Sequence, residues 1–411
     1  MTLHRTADPD ALGFDPDRLA RIDTHFAKYV DAGLLPGWQI AVTRAGEVVY
    51  ASTYGRRDVE ADRPVLDDTL WRIYSMTKPV TSVAAMALWE EGRFELTDEV
   101  RTYLPGLADL QVYDKGSSVR PFTVPAVEPI RIWHLLTHTA GLTYGFLYTS
   151  PVDALYRAAG FEWSVPAGLD LAGIVDRFAT LPLLYQPGTA WGYSVATDVL
   201  GRLVEVVSGQ RLDEFVADRI LRPLKMTDTR WWVDEAEAPR LAELYTPNPA
   251  ERGRIRRLDE LAAVAVREPA AHFGGAGLIS TAADYHRFTQ MLRRGGELDG
   301  VRVLGSRTVG LMTRNHLPGG QDLAALSTGG FAETSLEGIG FGLGFAVVVD
   351  SQPIRTHTSQ GEYYWGGAAS TAFWIDPAED LTALLFTQLL PSSTYALRPQ
   401  LRQLVYSALV D

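Results

Sequence analysis

The 411-residue chain contains no cysteine. Disulfides, thiolate metal sites and cysteine nucleophiles are therefore excluded, while the redox compartment stays open. Lysine is nearly as scarce, with four residues (Lys28, Lys78, Lys115 and Lys225) against 34 arginines. No run of about 18 apolar residues occurs, so no membrane-spanning helix is expected. The opening stretch MTLHRTADPDALGFDPDRLA has no basic start followed by an apolar run, so a secretory leader is not expected and a cytoplasmic location is. A basic excess is also missing. The net charge of −12 argues against a nucleic-acid partner and against binding to anionic membrane surfaces. The acidic residues are scattered and read as a solvated surface. Internal repeats, long low-complexity tracts and the G-x-S-x-G nucleophile elbow are all absent. What remains is 46% hydrophobic and 21% charged, the balance of an ordinary globular enzyme long enough for two lobes.

The periodic stretches are unevenly distributed. DPDRLARIDTHFAKYVDAGLLPG offers Asp15 as an N-cap and Pro16 at the first helical position, and stops near Gly33 and Pro36. WQIAVTRAGEVVYASTYG holds two β-rich runs around Ala45-Gly46, a hairpin signal. From about residue 95 to 270 the chain reads as helices broken by Pro/Gly loops, with PNPAERGRIRRLDE as a polar surface connection. Strand-like runs return in GLGFAVVVD, STAFWID and LTALLFTQL, and YALRPQLRQLVYSALV closes as an amphipathic helix. The expected fold class is α+β. An antiparallel sheet flanked by the terminal helices would use residues 1–74 and 272–411, with a mainly helical lobe over 75–271 and the site in the cleft between them.

Of the four lysines only Lys78 follows a serine by three residues, in WRIYSMTKPVTSVAAMALWEEG. A helix starting close to Ser75, with Pro79 in its first turn, puts Ser75 Oγ and Lys78 Nζ on one face. The positive end of the helix dipole favours negative charge on the serine and disfavours a protonated lysine, so an amine able to accept the serine proton is expected. The chain has 19 serines, so the tetrapeptide alone decides nothing. A second stretch, Tyr193-Ser194-Val195, lies in a Gly/Pro-rich turn before a strong helix. Tyr193 there is either a packed aromatic or a phenol that relays protons beside a lysine. A third, GEYYWGGAASTAFWIDP, has Gly366 and Gly367 ahead of a strand, where a ligand can approach the backbone. The N–H of Ala368 is then a second oxyanion donor beside that of Ser75, and a ligand-free β-bulge is the alternative. His134 and His138 are four apart, but HLLTH lacks the glutamate of H-E-x-x-H and a third ligand, so they read as packing or hydrogen-bonding residues.

Taken together, Ser75-Met-Thr-Lys78, Tyr193-Ser194-Val195 and Trp365-Gly366-Gly367 resemble the three ordered motifs of the serine β-lactamase and penicillin-binding-protein superfamily. The tyrosine-bearing second motif is similar to that of the class C branch, and the tryptophan-bearing third motif resembles that of the family VIII carboxylesterases. HLLTHTAGL, PGTAWGYS, RPLKMTDT and GGAGLISTAADYHRF match stretches typical of this branch. The resemblance implies a β-lactamase/transpeptidase-like fold and a serine esterase without metal or cofactor. It implies Ser75 as nucleophile, Lys78 and Tyr193 as proton-transfer groups, and Ser75 and Ala368 as oxyanion donors. Trp365, Gly366, Gly367, Val195, Tyr144, Phe146 and Tyr364 are expected to bind a small-molecule ester. Class C β-lactamases usually carry asparagine at Val195 and a lysine or comparable polar residue at Trp365. Valine and tryptophan cannot hold the amide and carboxylate of a β-lactam, which favours an uncharged, partly apolar ester. D-amino-acid peptide hydrolysis, acyl transfer to an alcohol and binding without catalysis are the alternatives.

Overall fold

The computed structural model describes residues 2–328 and 336–410. Asp15 caps the first turn as expected, its carboxylate accepting from Arg18 N–H at 3.1 Å. That turn stops at Leu19, and the helix proper, α1, runs over Arg21–Asp31. The hairpin strands follow as β1 (Gly37–Arg44) and β2 (Glu47–Asp58). Their two-residue link, Ala45-Gly46, takes φ of 53° and 89°, the left-handed pair that matches strand twist. A short β3 (Arg63–Pro64) adds to β2.

After α2 (Thr77–Glu90), α3 (Ala196–Ser208) and α4 (Ala282–Arg293), the chain returns to the sheet. It supplies β4 (Ile339–Phe341), β5 (Ala346–Val348), β6 (Tyr363–Gly366), β7 (Ala372–Asp376) and β8 (Leu381–Phe386). The helix α5 (Leu397–Tyr406) ends the chain. The eight strands are ordered β4-β5-β6-β7-β8-β1-β2-β3, and every described pairing among them is antiparallel. The hairpin strand β1 thus lies between β2 and the last strand, which joins the two ends of the sequence.

Alternation along the strands assigns two faces. Ile40, Val42, Trp374, Ala383 and Leu385 pack with Phe26 of α1 and Leu401 and Val405 of α5. Ala41, Phe373, Ile375, Leu384 and Phe386 join the larger core with Val80 of α2 and Tyr285 and Phe288 of α4. Each large side chain so buried stabilises the fold by about 1.5–3 kcal/mol relative to exposure. The helix α2 is buried continuously from Thr77 to Leu88. A helix apolar all round belongs at the centre of a core, and α2 carries Lys78 there.

Two local expectations are corrected. The stretch expected as a polar connection begins within a β-hairpin, Tyr245–Pro247 against Ile255–Arg257. The buried Tyr245 anchors it, donating its hydroxyl to Glu60 at 2.6 Å and pairing its backbone with Gln388 and Leu390. Within GLGFAVVVD only Ala346–Val348 is strand. Gly344, at φ 100°, packs so tightly against Ser82 that a side chain there would collide with it.

Candidate active site

Ser75 lies in a single 3₁₀ turn, Tyr74–Met76, and the α-helix begins two residues after it, at Thr77. Tyr74 enters the turn at φ 44°, a left-handed conformation that costs about 1–3 kcal/mol for a non-glycine residue. Packing against the cluster of Leu244, Ala369 and Leu390 sustains it.

Lys78 is 2% exposed. Its Nζ donates to Ser75 Oγ at 3.2 Å, to Tyr144 Oη at 3.0 Å and to the Gly275 carbonyl at 2.7 Å. Tyr193 arrives from the turn before α3 and donates its hydroxyl to Ser75 Oγ at 2.6 Å. Lys78 Nζ also stands 4.7 Å from the centre of the Tyr193 ring. Tyr193, 118 residues beyond Ser75, and Lys78, three residues beyond it, therefore meet at one hydroxyl.

The tyrosine is held by rings, with His138 at 5.0 Å, Tyr144 at 5.3 Å and Trp365 at 5.4 Å between centroids. His138, at φ 57°, shares a hydrogen bond of 3.1 Å with Ser194 Oγ, and its carbonyl accepts from Gly192 N–H. Burial, then the nearby Lys78 charge, pushes its imidazole well below the usual range, so it is neutral. His134 Nδ1 instead accepts from Arg131 N–H at 3.0 Å. Among the described residues no group of three or more His, Cys, Asp or Glu gathers to hold a metal.

Around Lys78 stand residues whose place the sequence did not reveal. Tyr144, expected as pocket lining, puts its hydroxyl on the lysine. Burial, then the charges of Asp198 and Tyr193, raises its phenol well above 10, so it remains protonated. Asp198, fully enclosed, accepts from Gly275 N–H at 2.7 Å. Burial lifts its carboxyl to about 6, against the opposing pull of Lys78 and of the Gly275 N–H. Gly275 thus gives its carbonyl to Lys78 and its N–H to Asp198. A Cβ there would lie 2.9 Å from the Asp198 carboxylate and 3.1 Å from Tyr144 Oη. The glycines of FGGAG carry this contact, and no local pattern in the sequence ties Asp198 to it.

From Tyr144 a stack of rings leads outward. Phe146 lies 4.6 Å from Tyr144, and Trp163 lies 4.6 Å from Phe146 and is 41% exposed. Val195 is buried as the N-cap of α3.

The third motif is divided by the pleat of β6. Trp365 faces inward, against Tyr193 and Phe341. Tyr364 does not line this site. One residue along a strand reverses the side-chain direction, and its ring lies under the Arg402 guanidinium at 4.8 Å. At the two glycines, groups of the protein itself occupy the Cβ direction. A side chain at Gly366 would collide with the Arg398 guanidinium, and one at Gly367 with Thr371 Oγ1 and the Ile73 carbonyl. The loop after them is seated on the Ile73 carbonyl, two residues before Ser75. Among the described residues neither Ser75 N–H nor Ala368 N–H has an acceptor. A cavity of about 410 Å³ next to β6 is lined by Tyr364, Trp365, Gly366, Trp374, Arg398 and Arg402, and not by Ser75, Lys78 or Tyr193. The hydrogen-bonded constellation of Ser75, Lys78 and Tyr193 lies outside that cavity.

Comparison with known proteins gives the family and the fold. The family model described as Beta-lactamase matches residues 22–407. Protein Rv1367c of Mycobacterium tuberculosis (strain ATCC 25618 / H37Rv) is 37% identical over 364 residues, covering 88% of each chain. Esterase EstB of Burkholderia gladioli is 33% identical over 397 residues, covering 92% of this chain and 93% of that one. Among solved structures, EstCE1, described as a hydrolase with promiscuous acyltransferase activity, superposes with a TM-score of 0.78 at 28% identity. It spans 95% of this chain and 99% of its own.

Proposed function

The chain belongs to the beta-lactamase family and adopts its transpeptidase-like fold, and on that premise we propose that it hydrolyses carboxylic esters through an acyl-enzyme on Ser75. The observation that carries this reading is the double contact on one hydroxyl, Tyr193 Oη at 2.6 Å and Lys78 Nζ at 3.2 Å. Ser75 Oγ attacks the ester carbonyl as its proton passes to whichever of the two has first given one up, the neutral Lys78 amine or the Tyr193 phenolate beside the Lys78 ammonium. The proton is passed to the departing alcohol, and water activated near Tyr193 then cleaves the acyl-enzyme. The N–H groups of Ser75 and Ala368 receive the oxyanion, where each donor is worth about 10²–10³ in rate.

Two side chains favour uncharged esters. Val195 and Trp365 are buried and offer neither an amide nor an ammonium to a substrate. A β-lactam would leave polar atoms unpaired on burial, at about 1–3 kcal/mol each. The name of EstB, an esterase, supports the same choice.

Acyl transfer to an alcohol is the second reading. It is favoured by the buried wall of Trp191, Phe341 and Trp365 around Tyr193, which limits water at the acyl group. The description of EstCE1 points the same way.

Turnover of p-nitrophenyl butyrate by the wild type and by Ser75→Ala tests the primary reading. Wild-type turnover that is lost in the folded variant is expected, and retained turnover refutes it. Adding methanol and measuring methyl butyrate separates transfer from hydrolysis.

A further inference from the structure

The peptide unit that carries the second oxyanion donor has another end. Its N–H belongs to Ala368 and its carbonyl to Gly367. A trans peptide is planar, so fixing the carbonyl direction fixes the N–H direction, opposite to it. Gly367 C=O accepts from Ser370 N–H at 3.1 Å and from Arg398 Nη2 at 3.0 Å. The same Arg398 nitrogen donates to Thr371 C=O at 3.0 Å, which also accepts from Gly367 N–H at 2.9 Å. Both carbonyls of the loop therefore have two donors, their full complement.

Arg398 lies in the first turn of α5, 30 residues beyond Ala368, and reaches the loop through the space left by the missing side chain of Gly366. That approach gives Gly366 a physical reason within the protein itself. A charged donor on the Gly367 carbonyl also polarises the peptide, which strengthens its N–H as a donor.

We propose that Arg398 is a positioning residue that aims the Ala368 N–H at the developing oxyanion by clamping the opposite end of its peptide unit. The proposal rests on the esterase reading and on Ala368 as an oxyanion donor. It predicts a defect in the transition state more than in substrate binding.

Steady-state kinetics on p-nitrophenyl butyrate with Arg398→Ala, Arg398→Lys and Gly366→Ala test it, with thermal melting to verify folding. Arg398→Ala should lose about 10²-fold in kcat with KM changed less than about threefold, the pattern of a misaimed transition-state donor. Arg398→Lys should recover part of the loss, and added methylguanidine should raise the rate of Arg398→Ala while leaving the wild type unchanged. Gly366→Ala, which displaces the guanidinium but keeps it in the chain, should show the same kcat defect, and it stands in if Arg398→Ala does not fold. A kcat within about threefold of wild type in a folded variant overturns the proposal. So does a loss that neither lysine nor methylguanidine relieves. Wild-type turnover that Ser75→Ala abolishes secures the esterase reading in the same assay, so failure of the clamp is distinguishable from failure of the nucleophile.

Discussion

Replacing Tyr193 by phenylalanine removes one oxygen and separates chemistry from architecture. The ring is 5% exposed and sits among His138, Tyr144, Trp191 and Trp365, contacts that phenylalanine retains. What is lost is the 2.6 Å hydrogen bond to Ser75 Oγ, whose oxygen still accepts from Lys78 Nζ. A single such bond contributes about 0.5–1.5 kcal/mol to stability, so the variant should stay folded and melt only a few degrees lower. A general acid–base group in the transition state is worth about 10²–10⁴ in rate, or roughly 3–5 kcal/mol of barrier. The two magnitudes differ severalfold, and that gap is the test. The assay pairs kcat for p-nitrophenyl butyrate with thermal unfolding on the same preparation. A fall in kcat of less than about fivefold would show that Tyr193 only packs and would refute its role in proton transfer.

The Asp198 carboxyl ionises near pH 6, beside Lys78. Activity should rise as pH passes through about 6, and Asp198→Asn, which keeps an acceptor for Gly275 N–H, should lose that inflection; a profile unchanged by the substitution counts against the assignment. The sign for stability is the reverse. A folded-state pKa raised above the ordinary carboxylate value favours the protonated fold, so the wild type should lose stability relative to Asp198→Asn as pH rises from about 4 to about 6, measured by urea midpoints. At the outer end of the ring stack, Trp163→Ala should lower kcat/KM for naphthyl butyrate about two- to twelvefold and leave ethyl butyrate nearly unchanged, because stacking on a planar alcohol group is worth about 0.5–1.5 kcal/mol. Equal effects on both esters would place Trp163 outside the substrate path.

The parts of this molecule that the sequence made legible are those with a local signature. The Asp15 cap, the Ala45-Gly46 turn and the strands at both ends follow from positions a few residues apart. The serine three places before a lysine is of the same kind, although the helix starts two residues later than expected because Tyr74 takes a left-handed turn first. Tyr364 shows a rule left unapplied. If Trp365 faces the site, strand alternation sends Tyr364 to the other face. A glycine records only that something approaches, and at Gly366 and Gly367 the approach from within the protein is by Arg398 and the Ile73 carbonyl, brought from far along the chain. Asp198 and Arg398 have no mark in their own neighbourhood, since each matters through a partner that tertiary packing delivers.

The continuous enclosure of α2 bears on how this protein opens. No face of that helix is free to fray, so its backbone reaches solvent only when the core around it comes apart. Local breathing at the rim can admit or release small molecules, whereas amide exchange from Thr81 to Leu88 should proceed at the slow rate set by unfolding of the whole molecule. The reactive hydroxyl is thereby built onto the segment that is last to loosen, and variation in what the enzyme accepts is left to the loops and rings around it.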